Sequence, residues 1–498
     1  MTSNARPLTS GPGAGARRGT DLLVRLRERP PALWYAGQPV TDVTTHPAFR
    51  RGVETLAALY DLQWQQAATC LAASPSSGRL VGRSFAIPRT RAELEGVTAA
   101  LSVAARHTHG MMGRAPDYLN RTLSGFAGGA AFLAGTDERF GANAGRVHAE
   151  LREHDLCLTH SLLTPQSNRA AGPSQQAEPF IAARVAREDD GGIVIRGARM
   201  LATLPTADAI MVFPSTLLRN TPEDAPYAFG VLVPTDAPGL KLICRESVDY
   251  GRPRADHPLG SRFEEMDAVV VFEDVRVPWE NVLLYRDVER CNTAYARTGA
   301  AANMAHQVVV KNIAKSEFVL GLAHLLVDAI GAEVFQHVQE KLAEIWVTPE
   351  TMRALLRAAE ADATPDEFGV FRPAWNPLDA ARNLFPRLYP RMVEILQQIG
   401  ASGLVAMPTA AETRGPLADD IRRYYQAARA DARERIPLFR LAWDTALSAF
   451  ASRQVLYERF FFGDPVRMAG ALVAAHSAEI RGHAERVREM LRASLDEN

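Results

Sequence analysis

The sequence predicts an α+β fold in three consecutive parts: helical, then β, then helical again. Three observations carry this. Up to about Glu153 the apolar residues recur at helical spacing, as in Val53, Leu56, Leu59 and Leu62, or Leu94, Val97, Leu101 and Ala104. From about Cys157 to Tyr285 the texture changes to short runs rich in Val, Ile and Phe, separated by turn signals. From about Tyr295 onward long helical patterns return. This is not the alternating βα order of a doubly wound sheet or a βα barrel.

Taken in order, residues 1–19 are rich in Gly, Ser, Pro and Thr and are expected to form a disordered tail. Gly11, Gly13 and Gly15 mimic a nucleotide-binding pattern, but no strand precedes them and no βαβ unit follows. A helical domain is expected over 20–154. A middle antiparallel, barrel-like β domain is expected over 155–290, with strands in 180–185, 192–195, 210–213 and 268–272. Asp190-Gly191-Gly192 and Ala237-Pro238-Gly239 supply turns. A C-terminal helical bundle is expected over 291–498, with helices near 308–330, 333–346, 349–363, 380–398, 420–450 and 465–495. Pro437 should kink or divide the fifth of these. Gly400-Ala401-Ser402-Gly403 and Phe462-Gly463-Asp464-Pro465 punctuate the series.

The 498 residues are 47% hydrophobic and 23% charged with a net charge of -1, which argues against a general nucleic-acid binder, since that needs a basic face. Cys70, Cys157, Cys244 and Cys291 form no C-x-x-C pair, which suits free thiols in a reducing cytoplasm. There is neither a run of about eighteen apolar residues nor a signal-peptide apolar region, so a cytoplasmic protein is expected. His107 and His109 point to different sides of a helix without a third ligand, so no metal is expected. No G-x-S-x-G elbow supports a hydrolase.

Arg114 and Tyr118 are four residues apart, about one helical turn, and on a helix would project the same way. Pro116 between them fits only a first turn or a tight bend. A permanently charged guanidinium and a phenol, joined by the imidazole of His160, make a receptor for a phenolate-like oxygen.

More specific are four blocks. They are His109-Gly110-Met111-Met112-Gly113-Arg114-Ala115-Pro116-Asp117-Tyr118-Leu119-Asn120, the stretch from Asp155 through His160 to Arg169, Gly197-Ala198-Arg199-Met200-Leu201-Ala202-Thr203, and His257-Pro258-Leu259-Gly260-Ser261-Arg262-Phe263 continuing to Val277-Pro278-Trp279-Glu280-Asn281-Val282. With Leu456-Tyr457-Glu458 and Gly463-Asp464-Pro465, these resemble the oxygenase component of the two-component 4-hydroxyphenylacetate 3-monooxygenases, a family that includes chlorophenol and nitrophenol monooxygenases. The resemblance covers nearly the whole chain beyond about residue 20.

The resemblance implies an acyl-CoA dehydrogenase-like fold: an N-terminal helical domain, a middle β domain and a C-terminal four-helix bundle, assembled as a homotetramer. It implies reduced FAD from a separate flavin reductase, a flavin C4a-hydroperoxide formed with O2, and hydroxylation of a phenol ortho to its hydroxyl. It places Arg114, Tyr118 and His160 around the phenol oxygen, with His160 titrating near neutrality. It assigns His160, Ser161, Leu162, Gln166, Ser167, Asn168 and Arg169 to the flavin, Thr203 to a hydrogen bond at its N5, and Phe462, Gly463, Asp464 and Pro465 to an approach from the helical domain. Ser215 and Thr216 match a loop that touches the substrate tail. Two departures stand out. Ala451-Ser452-Arg453 replaces a Gly-Gly-Arg, and Phe461-Phe462-Gly463-Asp464 replaces an aromatic-small-Gly-Asp. The alternatives are an acyl-CoA dehydrogenase-like flavoprotein oxidoreductase and a non-catalytic flavin-binding subunit. The substrate, free or tethered to a carrier protein, is left open.

Overall fold

A 31-residue helix, Ala300–Ile330, runs through the centre of the protein, about 45 Å long at 1.5 Å per residue. It is buried on nearly every side, mostly through apolar residues, but Asn303, Gln307, Lys311 and Lys315 form a buried polar stripe at four-residue spacing. It packs against the Pro116–Gly128 and Arg91–His107 helices of the N-terminal part and the Gln336–Ala361 and Trp375–Val405 helices of the C-terminal part. The computed structural model describes residues 7–9, 13–135, 137–213 and 216–496.

The expected order of helical, β and helical parts is the order found. Between the helical parts lie a six-stranded and a four-stranded sheet. Among the described strands pairing is mostly antiparallel, and two strand pairs are parallel. Leu33–Tyr35, from the N-terminal part, runs parallel to Leu240–Cys244, and Leu158–Ser161 runs parallel to Ala209–Val212. His160 lies on Leu158–Ser161, which forms one edge of the four-stranded sheet, and stands opposite Met211.

The tail expected to be disordered over 1–19 is ordered where it is described from residue 13 onward. The Gly15 amide donates to the Glu153 carbonyl at 2.8 Å. Arg17 is buried, pairs with Asp208 at 2.9 Å and offers its amide to Asp155 at 2.9 Å. A charged side chain with matching carboxylates overrides local composition here. Residues 1–6 and 10–12 lie outside the described residues.

Prolines interrupt the helices less than their chemistry suggests. Gln336–Ala361 runs through Pro349 as one helix where two were expected, with Ile345, Pro349 and Met352 buried together. Pro437 sits inside Ala432–Ala446; the breaks fall instead on either side, after Tyr424 and before Ala449. Packing offsets the hydrogen bond each proline removes. The Gly400–Gly403 punctuation is a kink inside Trp375–Val405, where Ala401 has φ 42°.

Candidate active site

Arg114 reaches Tyr118 without sharing its helix. Pro116 is the first residue of the Pro116–Gly128 helix and Ala115 its N-cap, so Arg114 stands in the turn before it. The expectation of two side chains on one helical face is therefore corrected. The side chains meet because the guanidinium folds forward over the ring, with Cζ 4.3 Å from the Tyr118 ring centroid.

The turn is held from three directions. Glu265 of the middle part accepts the Arg114 amide at 2.6 Å. Gln454 of the C-terminal Ala449–Phe460 helix donates to the Met111 carbonyl at 2.9 Å. Gly113 is required by close approach, since a Cβ there would meet the Tyr457 hydroxyl at 2.4 Å.

Around Arg114 the rings form a cage. Its Cζ is 4.0 Å from the Phe461 centroid and 5.6 Å from that of Tyr457. The Tyr118 and Phe461 rings meet edge to face at 5.4 Å, and His160 lies 5.9 Å from Tyr118, centroid to centroid. Arg114, Tyr118 and His160 are all buried. Arg114 Nε and Nη1, His160 Nδ1, the Tyr457 hydroxyl and Glu265 Oε2 are buried without a hydrogen-bond partner. Polar atoms left unpaired in one place are the signature of a ligand site, because each costs free energy until something binds it.

Burial opposes the charge on Arg114, yet Tyr118, Tyr457 and Glu265 outweigh it and hold the pKa above its ordinary value. Burial raises the Tyr118 phenol, with Arg114 pulling the other way. Burial and then Arg114 push His160 well below its ordinary value. His160 is therefore a neutral imidazole here rather than a group titrating near neutrality, which corrects the expectation.

The cofactor-side residues divide. Thr203 ends the Gly192–Thr203 strand, buried, with its hydroxyl donating to Asp267 Oδ1 at 2.6 Å; Thr159 donates to its carbonyl at 2.6 Å, one residue from His160. Ser161 is buried and bonded to the Met200 carbonyl at 2.9 Å, and Leu162 is half-buried. Gln166, Ser167, Asn168 and Arg169 form an exposed loop outside the cage. Gly463 has φ 110°, Asp464 caps the Pro465–Ala475 helix, and Pro465 is its first residue, so this stretch is a helix start beside the half-buried Phe462. Thr216 is exposed, and Ser215 lies outside the described residues.

Sequence reasoning assigned no role to Tyr457, Phe461, Arg453 or Glu265. A signal existed: Arg453 and Tyr457 are four residues apart on one side of the Ala449–Phe460 helix, and Phe461, its C-cap, continues the same spacing. Arg453 binds Asp267 at 2.8 and 2.9 Å, tying that helix to the strand pair carrying Thr203.

Residues 18–284 match the family described as 4-hydroxyphenylacetate 3-hydroxylase N terminal, and residues 291–492 its C-terminal counterpart. The chain belongs to the 4-hydroxyphenylacetate 3-hydroxylase family. It is 48% identical to the 4-hydroxyphenylacetate 3-monooxygenase oxygenase component of Thermus thermophilus, over 96% of this chain and 98% of that one. It also matches the crystal structure of an oxygenase component of 4-hydroxyphenylacetate 3-monooxygenase complexed with FAD and 4-hydroxyphenylacetate, at TM-score 0.92 and 47% identity, over 97% and 99% of the two chains. An archaeal 4-hydroxybutyryl-CoA dehydratase shares the fold at TM-score 0.86 and 20% identity, over 95% of each chain. Membership of a hydroxylase family does not favour the acyl-CoA dehydrogenase-like alternative.

Proposed function

We propose that this chain is the oxygenase component of a two-component phenol hydroxylase, using reduced FAD and O2 to place a hydroxyl ortho to the substrate's own. The observation that supports this most is the convergence of Arg114, Tyr118 and His160, from two parts of the chain, into one buried cage with unpaired polar atoms.

FAD, delivered reduced by a separate flavin reductase, supplies the electron pair and the point at which oxygen is activated. The residues fit such a group: His160 Nδ1 is buried and unpaired, and the neighbouring Thr159 is hydrogen-bonded to the carbonyl of the buried Thr203. We assign His160, Ser161, Leu162, Gln166, Ser167, Asn168, Arg169, Thr203 and Phe462 to Pro465 to the cofactor, and Ser215 and Thr216 to the substrate tail.

Arg114 and Tyr118 hold the phenol oxygen and stabilise negative charge on it, which enriches the ortho carbon in electrons. The neutral His160 takes the phenol proton, and the resulting imidazolium is stabilised by the phenolate it creates. Phe461 and Tyr457 exclude water behind Arg114, strengthening each interaction.

The four free thiols fit a cytoplasmic location; among the described residues no helix is long and apolar enough to cross a membrane. The exposed apolar residues of the Ser477–Asp496 helix fit a homotetramer. The substrate is a phenol, free or carrier-tethered. The test is a screen of phenols, 4-hydroxyphenylacetate first, with the protein, reduced FAD and O2, scoring catechol against peroxide. Peroxide without catechol from every phenol would refute the assignment.

A further inference from the structure

Behind the phenol site lies a sealed charge cluster that the reaction described above does not use. Lys311 and Lys315, one turn apart on the Ala300–Ile330 helix, have fully buried side chains. Both donate to the same oxygen, Glu458 Oε1, at 2.5 Å from Lys311. Lys315 also donates to Gln454 at 2.8 Å. Two amines share one carboxylate, so one ammonium charge is unmatched.

The surrounding elements do not supply the missing anion. From the Ala449–Phe460 helix come Glu458 itself and the Tyr457 phenol, whose ring centroid is 6.0 Å from Lys311. From the Trp375–Val405 helix come Phe385, 5.8 Å from Lys311, and the Tyr389 phenol, 4.9 Å from Lys315. From the middle part comes Glu265, already taken by the Arg114 amide at 2.6 Å and lying 3.8 Å from Arg453. Burial pushes Lys311 down, Glu458 pulls it back and Lys315 pushes it down again, to about 7.

The link to the phenol site is Phe461. Its ring carries Arg114 at 4.0 Å from its centroid and Lys311 at 5.0 Å. A phenyl ring in a dry interior screens little, so charge on Lys311 is felt beside Arg114. We propose that Lys311 is a positioning residue that lends its charge to the phenol site across Phe461, taking up a proton from solvent when an anionic phenol binds beside Arg114. The empty site thus keeps its unmatched charge small, and substrate binding completes it. This rests on reading Arg114, Tyr118 and His160 as a phenol receptor.

The experiment uses the full-length protein without flavin and 4-nitrophenol as probe, which is coloured as its anion. Calorimetry at pH 8 in buffers of different ionisation heat counts protons, and absorbance gives the apparent pKa of the bound phenol. Wild type should take up a large part of one proton. Lys311→Met should take up none and bind a phenol whose pKa is higher by about one unit. Lys311→Arg should take up none yet keep the bound pKa low, because arginine holds its charge at every pH used. That split is one that a purely structural lysine would not produce. Absence of proton uptake in wild type overturns the proposal without any variant, as does uptake that persists in both variants, which would make His160 the acceptor. Failure of 4-nitrophenol to bind, or equal binding to Arg114→Met, would instead refute the phenol receptor and the proposal with it.

Discussion

The Arg114 guanidinium lies 4.3 Å from the ring centroid of Tyr118, although only Tyr118 belongs to a helix. A stacked planar cation at a fixed distance is something a lysine cannot reproduce. Arg114→Ala and His160→Ala should each lower phenol hydroxylation at least about a hundredfold, the scale of a positioned acid–base group, and increase peroxide release. Arg114→Lys should recover little. Product analysis against oxygen consumption checks this; near wild-type coupling in both alanine variants would sink the assignment.

His160 leaves a mark on stability against pH. Its folded pKa is depressed, so below the unfolded value of about 6.5 the unfolded chain binds the extra proton and stability falls as pH falls. His148, pushed down to about 4 by burial, acts in the same direction. Urea midpoints between pH 7 and 5 should therefore drop less steeply in His160→Gln than in wild type. Equal slopes would mean that His160 is not held neutral.

Asp267 joins Arg453, Arg245 and Thr203. Burial works against its charge, but Arg453 and Arg245 hold the carboxyl well below its usual range. Asp267→Asn takes from Arg453 and Arg245 the carboxylate they share, leaving Glu265 and Glu264 as their remaining anions, and should cost about 2 kcal/mol, read as a lower denaturant midpoint. The sign follows: a depressed carboxylate contributes stability above its unfolded pKa of about 3.9 and loses it as pH falls through the folded value. The variant should therefore show a shallower loss of stability at the acid end than wild type.

Gly113 and Tyr457 form a steric pair. A Cβ at 113 would lie 2.4 Å from the Tyr457 hydroxyl and 2.5 Å from its Cε1. Gly113→Ala should destabilise by about 1–3 kcal/mol through overpacking and weaken phenol binding by shifting Arg114. Tyr457→Leu removes the colliding atoms, so in the double variant the Gly113→Ala stability penalty should shrink. A thermodynamic cycle measures this, and strict additivity would show that the two do not touch.

The Ser477–Asp496 helix exposes Ile480, Val487, Leu491 and Leu495. If these hold subunits together, a chain ending at His476 should run as a smaller species by light scattering at the same concentration. An unchanged mass would remove this helix from the assembly.

The order of the three parts was legible because each carries its own periodicity over many residues. Pro437 and Pro349 misled because helix breaking is a local rule, and buried neighbours such as Ile345 and Met352 overrule it. Arg114, Tyr118 and His160 were legible as residues, but not the way they meet, since that depends on a turn pinned by Glu265 and Gln454. The Ala449–Phe460 helix was harder still. Its buried residues include Gln454 and Glu458, so it is docked partly by ion pairs that no apolar stripe announces.

The strand Leu33–Tyr35 finds its parallel partner only at Leu240–Cys244, more than two hundred residues later. During synthesis the first part of the chain must wait for the middle part before its sheet can close. The cage waits longer, since Phe461 follows Arg114 by most of the remaining sequence. A ribosome must release nearly the whole polypeptide before any phenol can be gripped, so products that stop before Phe461 should be inert as well as unstable.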